Sequence, residues 1–302
     1  MQTNSEMVTL LDGGMGQELL RRSGQTPHPL WSTQVMIDYP DIVHGLHVDF
    51  INAGAQVITL NAYTLTPERL SRDGDVSDFD RLQQLAIEIA HNARAQAGLQ
   101  STKIAGCLPP LVGSYRPDQA PDADVMLNTY RQIVAAQSGH VDLFICETMA
   151  SIKEATAAAT AAKESGLPVW VSMTVEDDQA GLLRSGEALA DAVVQLDALN
   201  IDAKLMNCSK PEAISSSWSA LSSGKPGLLG AYANGFTSIS ALEPGGTVDV
   251  LSARHDLGPD NYAAFAMEWV EKGARIVGGC CEVGPEHIAA IATKLKSGGY
   301  LQ

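Results

Sequence analysis

The sequence predicts a (β/α)₈ barrel, a ring of eight parallel strands wrapped by helices, formed by a single domain over residues 1–302. Short apolar runs recur eight times, helical patterns lie between them, and a length of 302 residues suits one such domain. Alternating strand and helix patterns favour a parallel sheet, and eight repeats favour closure into a ring. An open, doubly wound parallel sheet is the alternative.

Each predicted strand is an apolar run that ends in a polar or glycine-containing stretch. In chain order these runs begin at Val8, Val57, Lys103, Val141, Val169, Ala203, Gly227 and Ala274. Apolar residues at three- and four-residue spacing predict crossover helices between them, among them 40–53, 80–97 and 260–272. The segments 113–123 and 236–250 are predicted as loops over the end of the barrel where active sites of this fold lie.

Composition restricts the possible functions. Hydrophobic residues make up 45% of the chain and aromatic residues only 5%, which is typical of a helix-wrapped parallel sheet with an aliphatic core. The net charge of −15, without a basic patch, argues against binding to nucleic acids or anionic membranes. A signal peptide and an apolar stretch of membrane-spanning length are both missing from the sequence, so we predict a cytoplasmic protein.

Polar residues follow most of the predicted strands. Because the carboxyl ends of parallel strands meet at one rim of a barrel, we expect these side chains to converge there. They are Asp12 after strand one, Asn61 after strand two, Glu147 after strand four, Asn207 and Cys208 after strand six, Asn234 after strand seven, and Cys280 with Cys281 after strand eight.

Three cysteines of that rim form a candidate metal site. An odd number of five cysteines, without a secretion signal, favours metal or thiolate chemistry over disulfides. A catalytic zinc ion takes three protein ligands and leaves a fourth position for substrate, a requirement that Cys208, Cys280 and Cys281 match in number. Adjacent ligands require an irregular strand end, which Gly278 and Gly279 permit. The residues alone leave packing or a redox switch as alternatives.

The other two cysteines carry a simpler prediction. Cys107 and Cys146 lie within or near the ends of strands three and four. Free cysteine is among the residues most often buried, so both are predicted to be small core side chains.

Several motifs, taken together, resemble those of the homocysteine S-methyltransferases. They are LDGGMGQEL at the start, NCS on strand six, and GGCC followed by GPEHI on strand eight, together with PLWS, HVDFINAGAQVITLNAY and ICET. The resemblance extends over nearly the whole chain, and the motifs occur in the expected order at the expected strands. A GGCC motif alone is a much weaker signal.

The resemblance implies a zinc-dependent barrel enzyme that moves a methyl group from a sulfonium or quaternary ammonium donor to homocysteine, producing methionine. Its partners are then small-molecule substrates. Matched by position, the zinc ligands and catalytic centre are Cys208, Cys280 and Cys281. The residues that hold the amino acid portion of homocysteine are Asp12, Gly13, Gly14 and Glu147, with Asn207 as a polar support of the metal strand.

The methyl donor is predicted less directly. We predict no second domain for folate or cobalamin. The PLWS motif, with no long C-terminal extension expected, resembles the S-methylmethionine branch, so S-methylmethionine is the predicted donor. Betaine or another donor is an alternative, as is a zinc-binding or redox-sensing barrel without this catalysis. Tyr63, Tyr115 and Tyr232 lie near the rim, where an aromatic face attracts a cation.

Overall fold

The computed structural model describes residues 7–242 and 246–301. Within them, all eight predicted strands form, and each pairs in parallel with its neighbours. The strands are β1 (Thr9–Leu10), β2 (Val57–Thr59), β3 (Lys103–Leu108), β4 (Leu143–Met149), β5 (Val169–Met173), β6 (Ala203–Asn207), β7 (Leu228–Tyr232) and β8 (Ile276–Val277).

The sheet closes into a barrel between its first and second strands. The continuous strand order is β1-β8-β7-β6-β5-β4-β3-β2, and a parallel bridge between Leu11 and Val57 joins the two ends. Two backbone hydrogen bonds support this bridge: the N–H of Gln56 donates to Leu10 O at 2.7 Å, and that of Asp12 donates to Val57 O at 3.0 Å. The barrel prediction is confirmed, and the open sheet is wrong.

Helices connect the strands and cover the barrel, and the three crossover helices predicted by spacing are α3, α5 and α10. In the described residues the helices are α1 (Met15–Ser23), α2 (Trp31–Asp38), α3 (Pro40–Asn52), α4 (Pro67–Asp73), α5 (Phe79–Ala97), α6 (Ala123–Gln137), α7 (Ile152–Glu164), α8 (Leu189–Ala198), α9 (Pro211–Leu221), α10 (Pro259–Glu271) and α11 (Pro285–Ser297). Across the described part of the chain, none has the length and apolar character needed to cross a membrane.

The interior of the barrel is filled by apolar side chains from all eight strand regions. Packed interiors of this kind leave no channel, so a site in this fold lies at the end of the barrel and not along its axis. The side chains are Leu11, Val57, Ala105, Leu143, Ile145, Trp170, Ala203, Leu205, Tyr232 and Ile276.

The two predicted loops lie at the carboxyl-terminal end of the strands. The segment 113–123 contains a short 3₁₀ helix, Pro117–Gln119, before α6 begins. Of the segment 236–250, residues 243–245 lie outside the described part, and a second 3₁₀ helix spans Val248–Val250. Side chains from both segments line the cavity described below.

Candidate metal and substrate site

The sulfur atoms of Cys208, Cys280 and Cys281 all lie within 4.8 Å of one another. The Cys208 and Cys281 sulfurs are 3.9 Å apart. Tetrahedral zinc with bonds of about 2.3 Å to sulfur separates its ligand atoms by about 3.8 Å. The three thiols therefore fit a thiolate-binding ion such as zinc with little rearrangement.

Cys208 reaches this cluster because the backbone turns sharply where β6 ends. Its φ of 50° lies in the left-handed region, which non-glycine residues seldom adopt. The N–H of Cys208 donates to Tyr232 O at 3.2 Å, and its carbonyl accepts from Thr174 Oγ1 at 3.2 Å. These bonds to residues of the neighbouring strands hold the turn, and the thiol lies in the cluster with Cys280 and Cys281.

Cys280 and Cys281 lie in a turn that follows the very short β8. The N–H of Cys280 donates to Ala233 O at 2.9 Å, and the Cys281 carbonyl accepts from Gly235 N–H at 2.8 Å. Glu282 then takes a φ of 65° and the chain leaves the site. The irregular strand end that adjacent ligands require is present.

Glycine is needed where the end of β1 packs against this turn. A methyl group added at Gly14 would overlap the Cys280 carbonyl and lie 2.9 Å from the Cys281 Cα. The Gly14 N–H already donates to Val283 O at 2.9 Å, so of the two predicted glycines only Gly13 keeps an N–H without a partner among the described residues.

The thiol cluster favours a negative charge on one sulfur. Hydrogen bonds from Cys280 and Cys281 lower the pKa of the Cys208 thiol well below its ordinary value, although burial opposes this, and Tyr115 Oη donates to the same sulfur at 3.0 Å. The same hydrogen bonds to Cys208 raise the pKa of the Cys280 and Cys281 thiols. The cluster therefore favours a negative charge on Cys208 over one on Cys280 or Cys281.

Two carboxyl groups lie near the cluster in the same cavity. Asp12 is buried, and its Oδ2 accepts from the Thr59 N–H at 2.8 Å. Burial raises the pKa of Asp12 to about 8 and that of Glu147 to about 7, and the negative charge of Glu147 also raises that of Asp12. Such a pair has a strong tendency to bind a cation, which restores both groups to the ionised form.

A bulge in β4 directs Glu147 into the cavity. The pairing of β4 with β5 shifts register between Cys146 and Met149, and Thr148 has a φ of 61°. Asn207 holds this conformation: its Oδ1 accepts from the Thr148 N–H at 2.9 Å, and its Nδ2 donates to Thr148 Oγ1 at 2.9 Å. Both the oxygen and the nitrogen of the Asn207 amide are thus hydrogen-bonded to Thr148. Asn207 does not line the cavity, but it precedes Cys208 and fixes the residue that follows Glu147.

The cavity at this end of the barrel has a volume of about 100 Å³ and brings together all the predicted site residues except Asn207. Its aromatic wall includes the three tyrosines of the sequence prediction, and adds Trp31 and Phe236. Phe236 packs against Cys208 and Cys281. Of the other rim residues, Asn61 lines the cavity, whereas the Asn234 side chain accepts from the Phe236 N–H at 3.2 Å and shapes the loop.

Sequence reasoning missed a role for Cys107. The prediction that it is a buried core residue is confirmed, but its thiol also donates to Glu147 Oε1 at 3.0 Å. The Cys107 N–H in turn donates to Gln137 Oε1 at 2.9 Å. No motif marked this contact, because a strand sequence does not show which residue of the next strand faces it.

Closure of eight strands, with a three-thiol cluster beside two carboxyl groups, defines a barrel with a metal-ligand site at its carboxyl-terminal mouth. A sequence profile described as homocysteine S-methyltransferase matches residues 9–295. The chain therefore belongs to the homocysteine S-methyltransferase family of enzymes, as the motifs predicted.

Relatives agree with this assignment. Homocysteine S-methyltransferase YbgG of Bacillus subtilis is 28% identical, with 96% of this chain and 95% of the relative covered. A selenocysteine Se-methyltransferase of Brassica oleracea is 26% identical, with 95% of this chain and 89% of the relative covered. The crystal structure of the metallated form of homocysteine methyltransferase MmuM from Escherichia coli is 27% identical to this chain. The match covers 95% of this chain and 96% of that structure, with a TM-score of 0.80.

Cys107→Ala is expected to raise the KM for homocysteine about tenfold or more, because a hydrogen bond to a charged group contributes about 1.5–3 kcal/mol. Cys107→Ser keeps a donor and is expected to restore most of the loss. Both variants should keep the kcat and the metal content of the wild type. If Cys107 only packs, the alanine variant will lose thermal stability without a change in KM, and serine will be no better than alanine.

Proposed function

We propose that this enzyme transfers a methyl group from S-methylmethionine to the thiol of homocysteine, with zinc held by Cys208, Cys280 and Cys281. The observation that carries the proposal is the convergence of three thiol sulfurs within 4.8 Å on a cavity that is also lined by the buried Asp12 and the half-buried Glu147. A thiol amino acid has two features that match this arrangement, namely a sulfur and an ammonium group.

The carboxyl groups of Asp12 and Glu147 are the proposed partners of the homocysteine ammonium group. Both have raised pKa values because they are buried, and an ammonium ion between them stabilises their ionised forms. The free N–H of Gly13 and the start of α1, where Met15 and Gly16 also line the cavity, suit the substrate carboxylate. Asn207 is proposed to position the Glu147 strand end without touching substrate.

Cys208, Cys280 and Cys281 would hold the zinc ion, and the chemistry that zinc would supply when bound is a lowered pKa for a substrate thiol. The protein's own contribution is to hold the ligand sulfurs, through the turns at Cys208 and Cys280–Cys281, and to keep water out. Tyr115 and Phe236, from the two loops over the site, pack against the sulfur cluster and provide that cover.

The transfer itself needs no general base. The bond between the methyl carbon and the donor sulfur breaks as a bond to the homocysteine sulfur forms, and the electron pair of the broken bond stays on the donor sulfur. Trp31, Tyr63 and Tyr115 line the same cavity, and aromatic rings there suit the positive charge that the donor loses in this step. The PLWS motif around Trp31 supports S-methylmethionine as the donor.

The experiment that tests this function is a donor panel. Homocysteine carrying four deuterium atoms is incubated separately with S-methylmethionine, S-adenosylmethionine, betaine and dimethylsulfoniopropionate, and deuterated methionine is measured by mass spectrometry. The deuterium distinguishes methylated homocysteine from the methionine that S-methylmethionine releases. We expect the highest kcat/KM with S-methylmethionine.

A higher kcat/KM with betaine or another donor would replace the proposed donor and keep the reaction. A zinc-loaded protein that forms no deuterated methionine with any of the four would contradict the proposed function and favour a metal-binding or redox role. Enzyme heated before the assay is the control for uncatalysed methyl transfer.

A further inference from the structure

Arg69, in α4, is a buried cation with no acidic partner among the described residues. Its side chain belongs to a residue that is only 7% exposed. Nη2 donates to Pro110 O at 3.1 Å and lies 3.5 Å from Ser114 Oγ, but Nε is buried without a partner, and Nη1 donates to no described residue. No described carboxylate forms an ion pair with it.

A buried guanidinium in this state is costly. Arginine does not lose its proton in proteins. It therefore cannot avoid the cost of a buried charge by becoming neutral, as a lysine or a carboxyl group can. Buried charges in folded proteins are paired with opposite charges, and removal of one partner of such a pair strongly destabilises the protein. An anion that binds at Arg69 therefore supplies the ion pair that no described carboxylate forms.

The surroundings of Arg69 connect it to the site already described. The guanidinium lies 5.4 Å from the centroid of the Tyr63 ring, and Tyr63 Oη is 2.8 Å from Ser114 Oγ. Arg69 lines a second cavity, of about 60 Å³, and the shared wall between this cavity and the thiol cavity includes Trp31, Tyr63 and Ser114. The cavity that Arg69 lines therefore adjoins the thiol cavity at the aromatic residues proposed to contact the donor cation.

We propose that Arg69 binds the carboxylate of the methyl donor, so that the enzyme selects donors that carry a carboxylate as well as an onium group. This inference rests on the proposed function and adds a residue that determines donor specificity. The homocysteine carboxylate is assigned elsewhere, to the Gly13 region beside the two acids, which leaves Arg69 for the second substrate. Ser114, beside both the guanidinium and Tyr63, is a further hydrogen-bonding group for the same carboxylate.

The test compares each donor with its neutral carboxamide. The wild type is expected to favour S-methylmethionine over its carboxamide by at least about 30-fold in kcat/KM, because losing one partner of a buried charge pair has an effect of this size or more. Arg69→Gln should reduce that preference at least about tenfold, and Arg69→Lys should retain part of it. If the panel identifies another donor, its carboxamide is used instead.

Arg72→Gln is the matched control. Arg72 lines the same second cavity and carries the same charge, but it is partly exposed and already paired with Asp73 at 2.7 Å. Its removal should leave the preference for the carboxylate unchanged. The proposal is overturned if Arg69→Gln loses activity equally with S-methylmethionine and with its carboxamide. That result would show that Arg69 only connects α4 to the loop around Pro110.

A binding measurement separates this proposal from the proposed function. Titration calorimetry of the zinc-loaded protein with S-methylmethionine and with its carboxamide requires no turnover. Weaker binding of the carboxamide in the wild type, with the difference lost in Arg69→Gln, supports the proposal even if no methionine forms. Equal binding of the two compounds by the wild type contradicts it, whether or not the variant folds.

Discussion

Cys208→Ala is expected to abolish stoichiometric zinc binding and to reduce homocysteine methylation by more than about a thousandfold. A three-thiol site with one sulfur removed no longer encloses the ion, and the substrate thiol then stays mostly protonated at neutral pH. Zinc is measured by elemental analysis of protein purified without added metal, where we expect close to one ion per wild-type chain. Activity is measured with deuterated homocysteine.

Cys146→Ala is the control for this prediction. Cys146 is fully buried in the core around the barrel and is not part of the three-thiol cluster. This variant should lose some stability but keep its zinc and its turnover per folded chain. Metal-free wild-type protein with full activity would contradict the zinc mechanism, and so would a Cys208→Ala variant that keeps its turnover.

Glu147→Gln is expected to weaken homocysteine binding and, at the same time, to stabilise the substrate-free protein at alkaline pH. The KM for homocysteine should rise about 30-fold or more at pH 8, because one charge of a buried pair with the substrate ammonium is removed. Zinc content should be unchanged. A loss of zinc with an unchanged KM would reassign Glu147 to a structural role in the metal site.

The stability effect follows from the pKa of Glu147, which burial raises from 4.5 to about 7 in the folded protein. Below pH 4.5 both the folded and the unfolded chain hold the proton, and no cost arises. Between pH 4.5 and 7 the unfolded chain releases its proton first, so folding stability falls with rising pH, by about 3 kcal/mol in all. Glutamine has no proton to release and avoids this cost.

Thermal unfolding of the two proteins at pH 5 and pH 8 provides the measurement. The melting temperature of Glu147→Gln should exceed that of the wild type at pH 8 and approach it at pH 5. The comparison is made without homocysteine, because a bound ammonium group favours the ionised carboxylate and removes the cost. A difference of the same size at both pH values would show that burial does not raise the pKa of Glu147.

Much of the fold was predictable because the relevant signal is local. Each apolar run of β-type residues formed a strand, and regular spacing of apolar residues marked helices such as α3 and α5. The cluster of three cysteines was predictable in part, since strand ends meet at one rim whatever their separation along the chain. The family motifs then identified the chemistry.

The contacts that support the site were not predictable from the sequence. Asn207 and Thr148 lie 59 residues apart, and Cys107 and Glu147 lie 40 apart. Whether two such residues meet depends on register and on local bulges, as with the shift in β4 that redirects Glu147. Gly14, one of the predicted substrate-binding residues, donates its N–H to Val283 O after β8, and no local pattern reveals that contact.

By itself, the sequence determined the barrel, the family and the three thiols, because periodicity and motifs depend on residues close together in the chain. Only the tertiary structure decided which groups surround those thiols and which carboxyl groups lie beside them. It also showed that Arg69 is buried without a carboxylate partner among the described residues. Burial and pairing are properties of residues brought together from distant segments, and they set the charge of each group. That charge in turn determines what the site binds.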